Sequence, residues 1–324
     1  MLYGLGPVAK IIESSKAETE ALALIEAGEV VAIPTETVYG LAADAINGRA
    51  VARIYEVKGR PRFNPLIAHV ASLAMARSIA MIDPLSLRLA EAFWPGPLTL
   101  VLPLRPGHPI HSLVTAGLDT VAVRMPRGFG AELIAALGRP LAAPSANSSG
   151  RISATTAQAV AADLGERIPL IVDGGATPVG LESSIVMVEG FAVTLLRPGG
   201  VAAEDIERVA GVSLQRAASA IVAPGMLASH YAPRAALRCD AQEVRPGEAL
   251  LAFGSVLVDG ESREIVSRNL SAAGDLAEAA ANLFTMLQEL DASGADTIAV
   301  VPIPEGGLGE AINDRLRRAA APRG

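Results

Sequence analysis

The stretch "VKGRPRFNPLIAHV", Val57 to Val70, places Lys58, Arg60 and Arg62 around Pro61 and Pro65, which keep it from being helical. Guanidinium forks match phosphate oxygens, and a proline-bounded loop holds them in place before an anion arrives. A helix ending at Lys58 would welcome that charge on dipole grounds alone, whereas Arg60, between Gly59 and Pro61, has no such explanation. "APSANSSGRIS" gathers Ser145, Asn147, Ser148, Ser149 and Ser153 around Pro144 and Gly150, and a solvated surface loop accounts for it equally well. "PTETVYG" offers Thr35, Thr37 and Tyr39 and, taken alone, reads as a capping turn. Arg124 in "VAVRMPRG" and Arg197 in "LLRPGG" end apolar runs, so each needs a partner, either a carboxylate such as Asp173 or Glu182 or a bound ligand. Cationic points beside a hydroxyl-rich loop suit a polyanionic small molecule.

Other chemistries lack their residues. No Gly-rich loop ends in Gly-Lys-Ser/Thr, and neither "GFGAEL" nor "GGLGEA" completes the dinucleotide fingerprint. The histidines, His69, His108, His111 and His230, lack metalloprotease spacing, and His108 and His111 read as solvated loop. Cys239 is the single cysteine, which excludes an internal disulfide; it reads as a small buried hydrophobe in a reducing compartment. A net charge of −7 repels nucleic acid and anionic membranes on average, so any anion site must be local. The N-terminus shows no basic head before an apolar core, and apolar runs fall short of the roughly 20 residues a spanning helix needs, so a cytoplasmic protein without membrane contact is expected.

These residues must be positioned by a chain of 324 residues, 51% hydrophobic but only 3% aromatic, which suits two domains of Ala-rich helices and aliphatic strands. Helical periodicity marks "SSKAETEALALIEAGE" up to Gly28, a helix from Asn47 through Lys58, and "DPLSLRLAEAF", "FGAELIAALG", "TTAQAVAADLG" and "AEDIERVA". Strands are expected in "VVAIPTETVYGL" as far as Pro34, then "PLIAHV", "PLTLVLPL", "TVAVRMP", "PLAAPSAN", "PLIVDGG", "SSIVMV" and "VTLLRPG". Several consecutive strands late in this region argue a mixed α/β sheet. The pattern weakens between Gly211 and Pro233, where a linker is expected. Beyond it, strands "ALLAFGS" and "TIAVVPI" flank the helix "LAEAAANLFTMLQELDASG", and "GLGEAINDRLRRAA" closes a small Rossmann-like unit.

Taken in order, "IPTETVYGL", "KGRPRFNPLIAHV", "WPGPLTLVL", "TAGLDTVAVRMP", "APSAN", "IVDGG", "ESSIV" and "LLRPG" closely resemble the YrdC-like family of threonylcarbamoyl-AMP synthases. "APGMLASHYAP" and "GLGEAINDRL" further resemble its long form. The resemblance implies a YrdC-like twisted mixed open sheet with helices over residues 1–211, a linker or lid over 212–234, and a Rossmann-like domain over 235–324. It implies that L-threonine, bicarbonate and ATP give threonylcarbamoyl-AMP and pyrophosphate, the first step towards threonylcarbamoyladenosine in tRNA. Lys58, Arg60, Ser145 and Asn147 would carry catalysis; Lys58, Arg60, Asn64, Thr120, Ser145, Asn147, Ser153 and Arg197 would meet ATP, with Tyr231 closing over it. Thr37, His69, Arg124, Ala143 and Ser183 would hold threonine, Arg124 on its carboxylate. Mg2+ would travel with ATP, held by phosphate and water rather than by protein ligands. A tRNA threonylcarbamoyl transferase would act downstream, with weak or no direct tRNA binding here. Leu227, Ala228 and Ser229 depart from the basic residues usual in this linker, so closure by packing rather than charge is expected. The competing reading is an RNA-binding module of the YrdC-like type, which the low aromatic content disfavours. Carbamoyl transfer from carbamoyl phosphate is a third, but the acylphosphatase and zinc-finger modules that accompany it elsewhere are missing.

Overall fold

The structure, a computed structural model, describes residues 8–216, 229–255, 258–260 and 265–322. The N-terminal part runs β1 (Lys10–Glu13), α1 (Ser14–Glu26), β2 (Val31–Ile33), β3 (Gly40–Asp44), α2 (Gly48–Lys58), β4 (Ile67–His69), α3 (Leu73–Ile79), α4 (Pro84–Phe93), β5 (Leu98–Pro103), α5 (Ser112–Thr115), β6 (Thr120–Arg124) and α6 (Phe129–Leu137). It continues through β7 (Leu141–Ala142), α7 (Ala157–Leu164), β8 (Leu170–Asp173), β9 (Ser184–Glu189), β10 (Ala192–Arg197), α8 (Ala203–Ala210) and β11 (Gln215–Arg216). The C-terminal part has β12 (Ala236–Arg238), β13 (Glu248–Ala252), β14 (Ser267–Asn269), α9 (Leu276–Ala292), β15 (Thr297–Val300) and α10 (Gly309–Ala320).

The first set forms an 11-stranded sheet in the order β1-β8-β2-β3-β7-β4-β6-β5-β9-β10-β11. It is mixed, as expected: β4 and β6 run parallel, as do β5 and β9, whereas β7 is antiparallel to β4 and β10 to β9. The second sheet, β12-β15-β13-β14, is wholly parallel, which suits a small Rossmann-like unit. No helix among the described residues is long and apolar enough to cross a membrane.

Local chemistry sets the element ends nearest the cations. Asn47 caps α2 by accepting from the backbone N–H groups of Arg49 and Ala50. Gly59 ends it with φ +60°, a conformation suited to glycine, and so turns Arg60 out of the helix. The strand in "VVAIPTETVYGL" ends at Ile33, at the break expected from Pro34, and residues 34–39 form the loop before β3. The structure adds short strands that the pattern did not mark: β1, β12, β14, and β11 inside the expected linker. Most of that linker, including Leu227 and Ala228, lies outside the described residues.

The two parts share a core. Val38, Ile152 and Leu181 pack in one cluster with Tyr231, Leu283 and Phe284. Gly180, at φ +72°, permits the approach, because a Cβ there would lie 2.4 Å from the Ala280 carbonyl oxygen. Cys239 packs half-buried against this cluster. His108 and His111 lie in loop, as expected, but are half-buried rather than solvated, and His111 Nδ1 accepts from Leu113 N (3.2 Å) to cap α5.

Candidate active site

Parallel register places His69 of β4 opposite Arg124 of β6, and Ile67 opposite Ala122. Side chains alternate along a strand, so all four share one face of the sheet. Ile67 and Ala122 join Val101, Ile185 and Leu196 in a small separate apolar cluster. Beside it opens a cavity lined by Thr37, Val38, Arg60, Ile67, His69, Arg124, Ala143, Pro144, Ser145, Glu182, Ser183, Arg197, His230 and Tyr231. The cations at the ends of β6 and β10 and in the loop after α2 therefore converge on one cavity.

Each cation is buried and held. Arg60 donates from Nη2 to Asn64 Oδ1 (2.7 Å) and Pro65 O (2.7 Å), and from Nε to Asn64 O (3.1 Å). These acceptors are neutral, so the loop orients the guanidinium without cancelling its charge; burial lowers its pKa to about 10. A register shift between Leu195 and Arg197 of β10 interrupts the pairing with β9, the irregularity by which bulges re-aim a side chain. Arg197 donates from Nη2 (2.8 Å) and Nε (3.2 Å) to Ser183 O. Arg124 donates from Nε to Gly96 O (3.2 Å), and its Nη2 lies 2.7 Å from Glu36 Oε1. The carboxylate expected for Arg124 was Asp173 or Glu182; the structure supplies Glu36 instead, because the turn after β2 folds inward and Glu182 is taken by Arg315 of α10 (2.9 Å).

Lys58 stands behind this surface. Its Nζ donates to Ser145 O (2.5 Å) and to Asn147 O, tying α2 to the "APSAN" loop, and burial followed by the charge of Arg60 holds its pKa well below the ordinary value. Asn147 Nδ2 donates to Ser148 O (2.8 Å) and Arg151 O (2.9 Å), and Ser153 Oγ to Glu182 Oε1 (2.5 Å). Thr37 Oγ1 meets Thr35 Oγ1 at 2.8 Å, and Ser183 Oγ meets Thr99 Oγ1 at 2.7 Å. His69 has its pKa lowered to about 3 by burial and by Arg124, so the ring is neutral. Its Nδ1 stands 3.3 Å from Ile67 O, which suits a proton on Nδ1 and an acceptor at Nε2. Burial likewise lowers His230 to about 3.

Of the residues singled out from the sequence, Thr37, Arg60, His69, Arg124, Ala143, Ser145, Ser183, Arg197 and Tyr231 line the cavity. Lys58, Asn64, Asn147 and Ser153 do not line it; they bind Ser145, Arg60, Lys58 and Glu182 respectively, one layer back. Thr120 is apart, at the opposite end of β6 from Arg124. Arg62 is exposed and outside the cavity. Sequence reasoning assigned no role to Glu36, His230 or Arg315. A carboxylate set between the hydroxyls of "PTET" was the available signal for Glu36; one arginine among those of "DRLRRAA" gave none for Arg315.

Residues 23–199 match the family described as "Telomere recombination", and residues 201–321 the family "Threonylcarbamoyl-AMP synthase, C-terminal domain". The chain is 40% identical to the threonylcarbamoyl-AMP synthase of Pyrococcus abyssi, over 94% of each. It is 41% identical to that of Bacillus subtilis, over 94% of this chain and 93% of the relative. The crystal structure of P. abyssi Sua5 complexed with L-threonine superposes with a TM-score of 0.85 at 39% identity, over 97% of both chains.

Proposed function

The chain belongs to the threonylcarbamoyl-AMP synthase family, and we propose from that premise that its cavity holds the phosphates of ATP beside L-threonine. The reaction makes L-threonylcarbamoyl-AMP and pyrophosphate from L-threonine, bicarbonate and ATP. What carries the reading is the convergence of Arg60, Arg197 and Ser145 with His69, Arg124 and Ser183 on one cavity. We assign Arg60, Arg197 and Ser145 to the nucleotide, with Lys58, Asn64, Asn147 and Ser153 positioning them and Thr120 reaching a remoter part of it. Thr37, His69, Arg124, Ala143 and Ser183 take threonine.

The chemistry follows from these groups. Bicarbonate gives CO2 and hydroxide; the threonine amine adds to the CO2, and the proton it loses leaves with the hydroxide as water, giving a carbamate. A carbamate oxygen then attacks the α-phosphorus as the bond to the β-phosphate oxygen breaks and pyrophosphate leaves. No side chain needs to be a nucleophile; fixed cations and correct alignment lower the barrier. Arg124 binds the threonine carboxylate while sharing its charge with Glu36, and the neutral Nε2 of His69 accepts a hydrogen bond from the threonine hydroxyl or amine. Arg60, oriented by neutral oxygens only, keeps its full charge for phosphate.

A divalent ion accompanies ATP in this scheme, and the described residues offer it no cage. Glu36 and Glu182 are engaged by Arg124 and Arg315, and no group of three potential ligands stands together among the described residues. Mg2+ held by phosphate oxygens and water fits, and would supply charge neutralisation. The division into a catalytic part (1–211), a linker (212–234) and a Rossmann-like part (235–324), cytoplasmic location and hand-over of the product to a tRNA-modifying transferase belong to the same proposal. Pyrophosphate release from ATP that requires both threonine and bicarbonate, with the product identified by mass, tests it; release independent of threonine rejects it.

A further inference from the structure

Arg315 belongs to α10 of the C-terminal part, yet its guanidinium reaches Glu182, a residue of the N-terminal part that lines the cavity. It is fully buried. Its Nε donates to Glu182 Oε2 at 2.9 Å and its Nη1 to Asp314 Oδ2 at 2.7 Å, while Cζ lies 5.0 Å from the centroid of the Tyr231 ring. That ring also stacks on Phe284 of α9, with centroids 5.6 Å apart and 29° between planes. Glu182 lines the cavity and accepts from Ser153 Oγ through its other oxygen.

An ion pair buried between two structural units is a poor way to join them. Desolvating both charges offsets most of their attraction, and apolar packing of the same volume does as well. Here apolar packing is already present, in the cluster of Val38, Ile152, Leu181 and Phe284. The pair needs another reason, and the cavity gives one. A carboxylate in the wall of a site for a polyphosphate repels its ligand at low dielectric, unless a cation is fixed against it.

We propose that Arg315 is a positioning residue for the nucleotide half of the site: it cancels the charge of Glu182, aims that carboxylate at Ser153, and holds the Tyr231 ring beside the cavity. The C-terminal part thereby completes an anion site whose ligand-facing arginines all come from the N-terminal part. This rests on the reading of the cavity as an ATP site. It also makes nucleotide affinity depend on how α10 is docked, while the Arg124 end of the cavity, neutralised locally by Glu36, is independent of it.

The test is calorimetric titration of a non-hydrolysable ATP analogue with Mg2+, and separately of L-threonine, into the full chain and its variants. Arg315→Met exposes the ligand to the unbalanced Glu182 charge, and is expected to weaken the nucleotide about tenfold or more while threonine affinity stays within about twofold. The double variant Glu182→Gln with Arg315→Met removes both charges and recovers most of the lost affinity. Arg315→Lys keeps the charge but not the fork or the ring contact, and is expected to recover part of the affinity that Arg315→Met loses. Equal weakening of both ligands, or a double variant as weak as Arg315→Met, indicates a merely structural role and overturns the inference; if Arg315→Met does not fold, the double variant and Arg315→Lys decide alone. Unaltered protein that binds no nucleotide brings down the ATP reading and this inference with it. Nucleotide binding by the unaltered protein that Arg315→Met retains in full brings down the inference only.

Discussion

Replacing Lys58 with methionine separates two roles for this lysine, phosphate ligand and loop tether. The side chain is 3% exposed, and its ammonium serves the carbonyls of Ser145 and Asn147 rather than the open cavity. Each charge-assisted bond contributes about 1.5–3 kcal/mol, and losing the donor leaves two buried carbonyls unsatisfied. Against this, the variant no longer buries an ammonium, a term of several kcal/mol with the opposite sign. Folding stability should therefore change by no more than about 2 kcal/mol in either direction, since the terms oppose each other. Catalysis has no such compensation. The "APSAN" loop carrying Ser145 loses its side-chain tie to α2, while the backbone bond from Ser149 N to Lys58 O (2.8 Å) still anchors the chain just beyond it, and a displacement of about 1 Å in a positioning element costs about a hundredfold in rate. Urea unfolding and steady-state pyrophosphate release measure the two effects on the same samples. A fall in kcat of about two decades at near-constant stability is expected. A rate within threefold of the unaltered protein, or a loss confined to KM for ATP with kcat intact, would refute the tether.

His69 and His230, both neutral with pKa values near 3, bind fewer protons folded than unfolded below the ordinary value of 6.5, so stability is full above that pH and falls as pH drops towards 3. Between pH 6.5 and 5 the two together steepen the fall towards about 2.7 kcal/mol per pH unit, and His69→Asn should remove about half of that slope in urea titrations; an unchanged slope would show the ring is not held neutral. Gly199→Ala sets a Cβ within 2.4–2.5 Å of the backbone of Glu182, Ser183 and Ser184, so it should cost about 1–3 kcal/mol and weaken nucleotide binding through Ser183 and Arg197; a neutral melting temperature contradicts this. Arg124→Met strands the buried Glu36 carboxylate at a cost of about 3–5 kcal/mol, and adding Glu36→Gln should restore stability but not threonine binding, which calorimetry would show.

The element order was largely legible because the chain signals it locally: Asn47 and Gly59 bracket α2, Asp83 caps α4 by accepting from Leu85 N and Ser86 N, and Gly138 follows α6 with φ +68°. The short edge strands β1 and β14 were not, since three or four residues carry too little periodicity and are fixed by pairing with β8 and β13. At the site, residue types gave the cations and hydroxyls but not their depth. The sequence set Lys58, at a helix end, apart from Arg60, beyond Gly59, but not that Lys58 serves carbonyls behind the cavity while Arg60 faces it; the αL turn at Gly59 makes that difference. Partner choice was the least legible part. Arg124 pairs with Glu36 across 88 positions and Glu182 with Arg315 across 133, and such choices exist only once the sheet has assembled.

Catalysis by this route requires phosphate and amino acid to lie side by side in one cavity. A crystal structure of the chain with a non-hydrolysable ATP analogue, Mg2+ and L-threonine measures this directly. The phosphate tail is predicted within hydrogen-bonding distance of Arg60 and Arg197, and the threonine carboxylate on Arg124 with its side chain towards His69. Either ligand found away from these residues, with the cavity filled only by solvent, would contradict it.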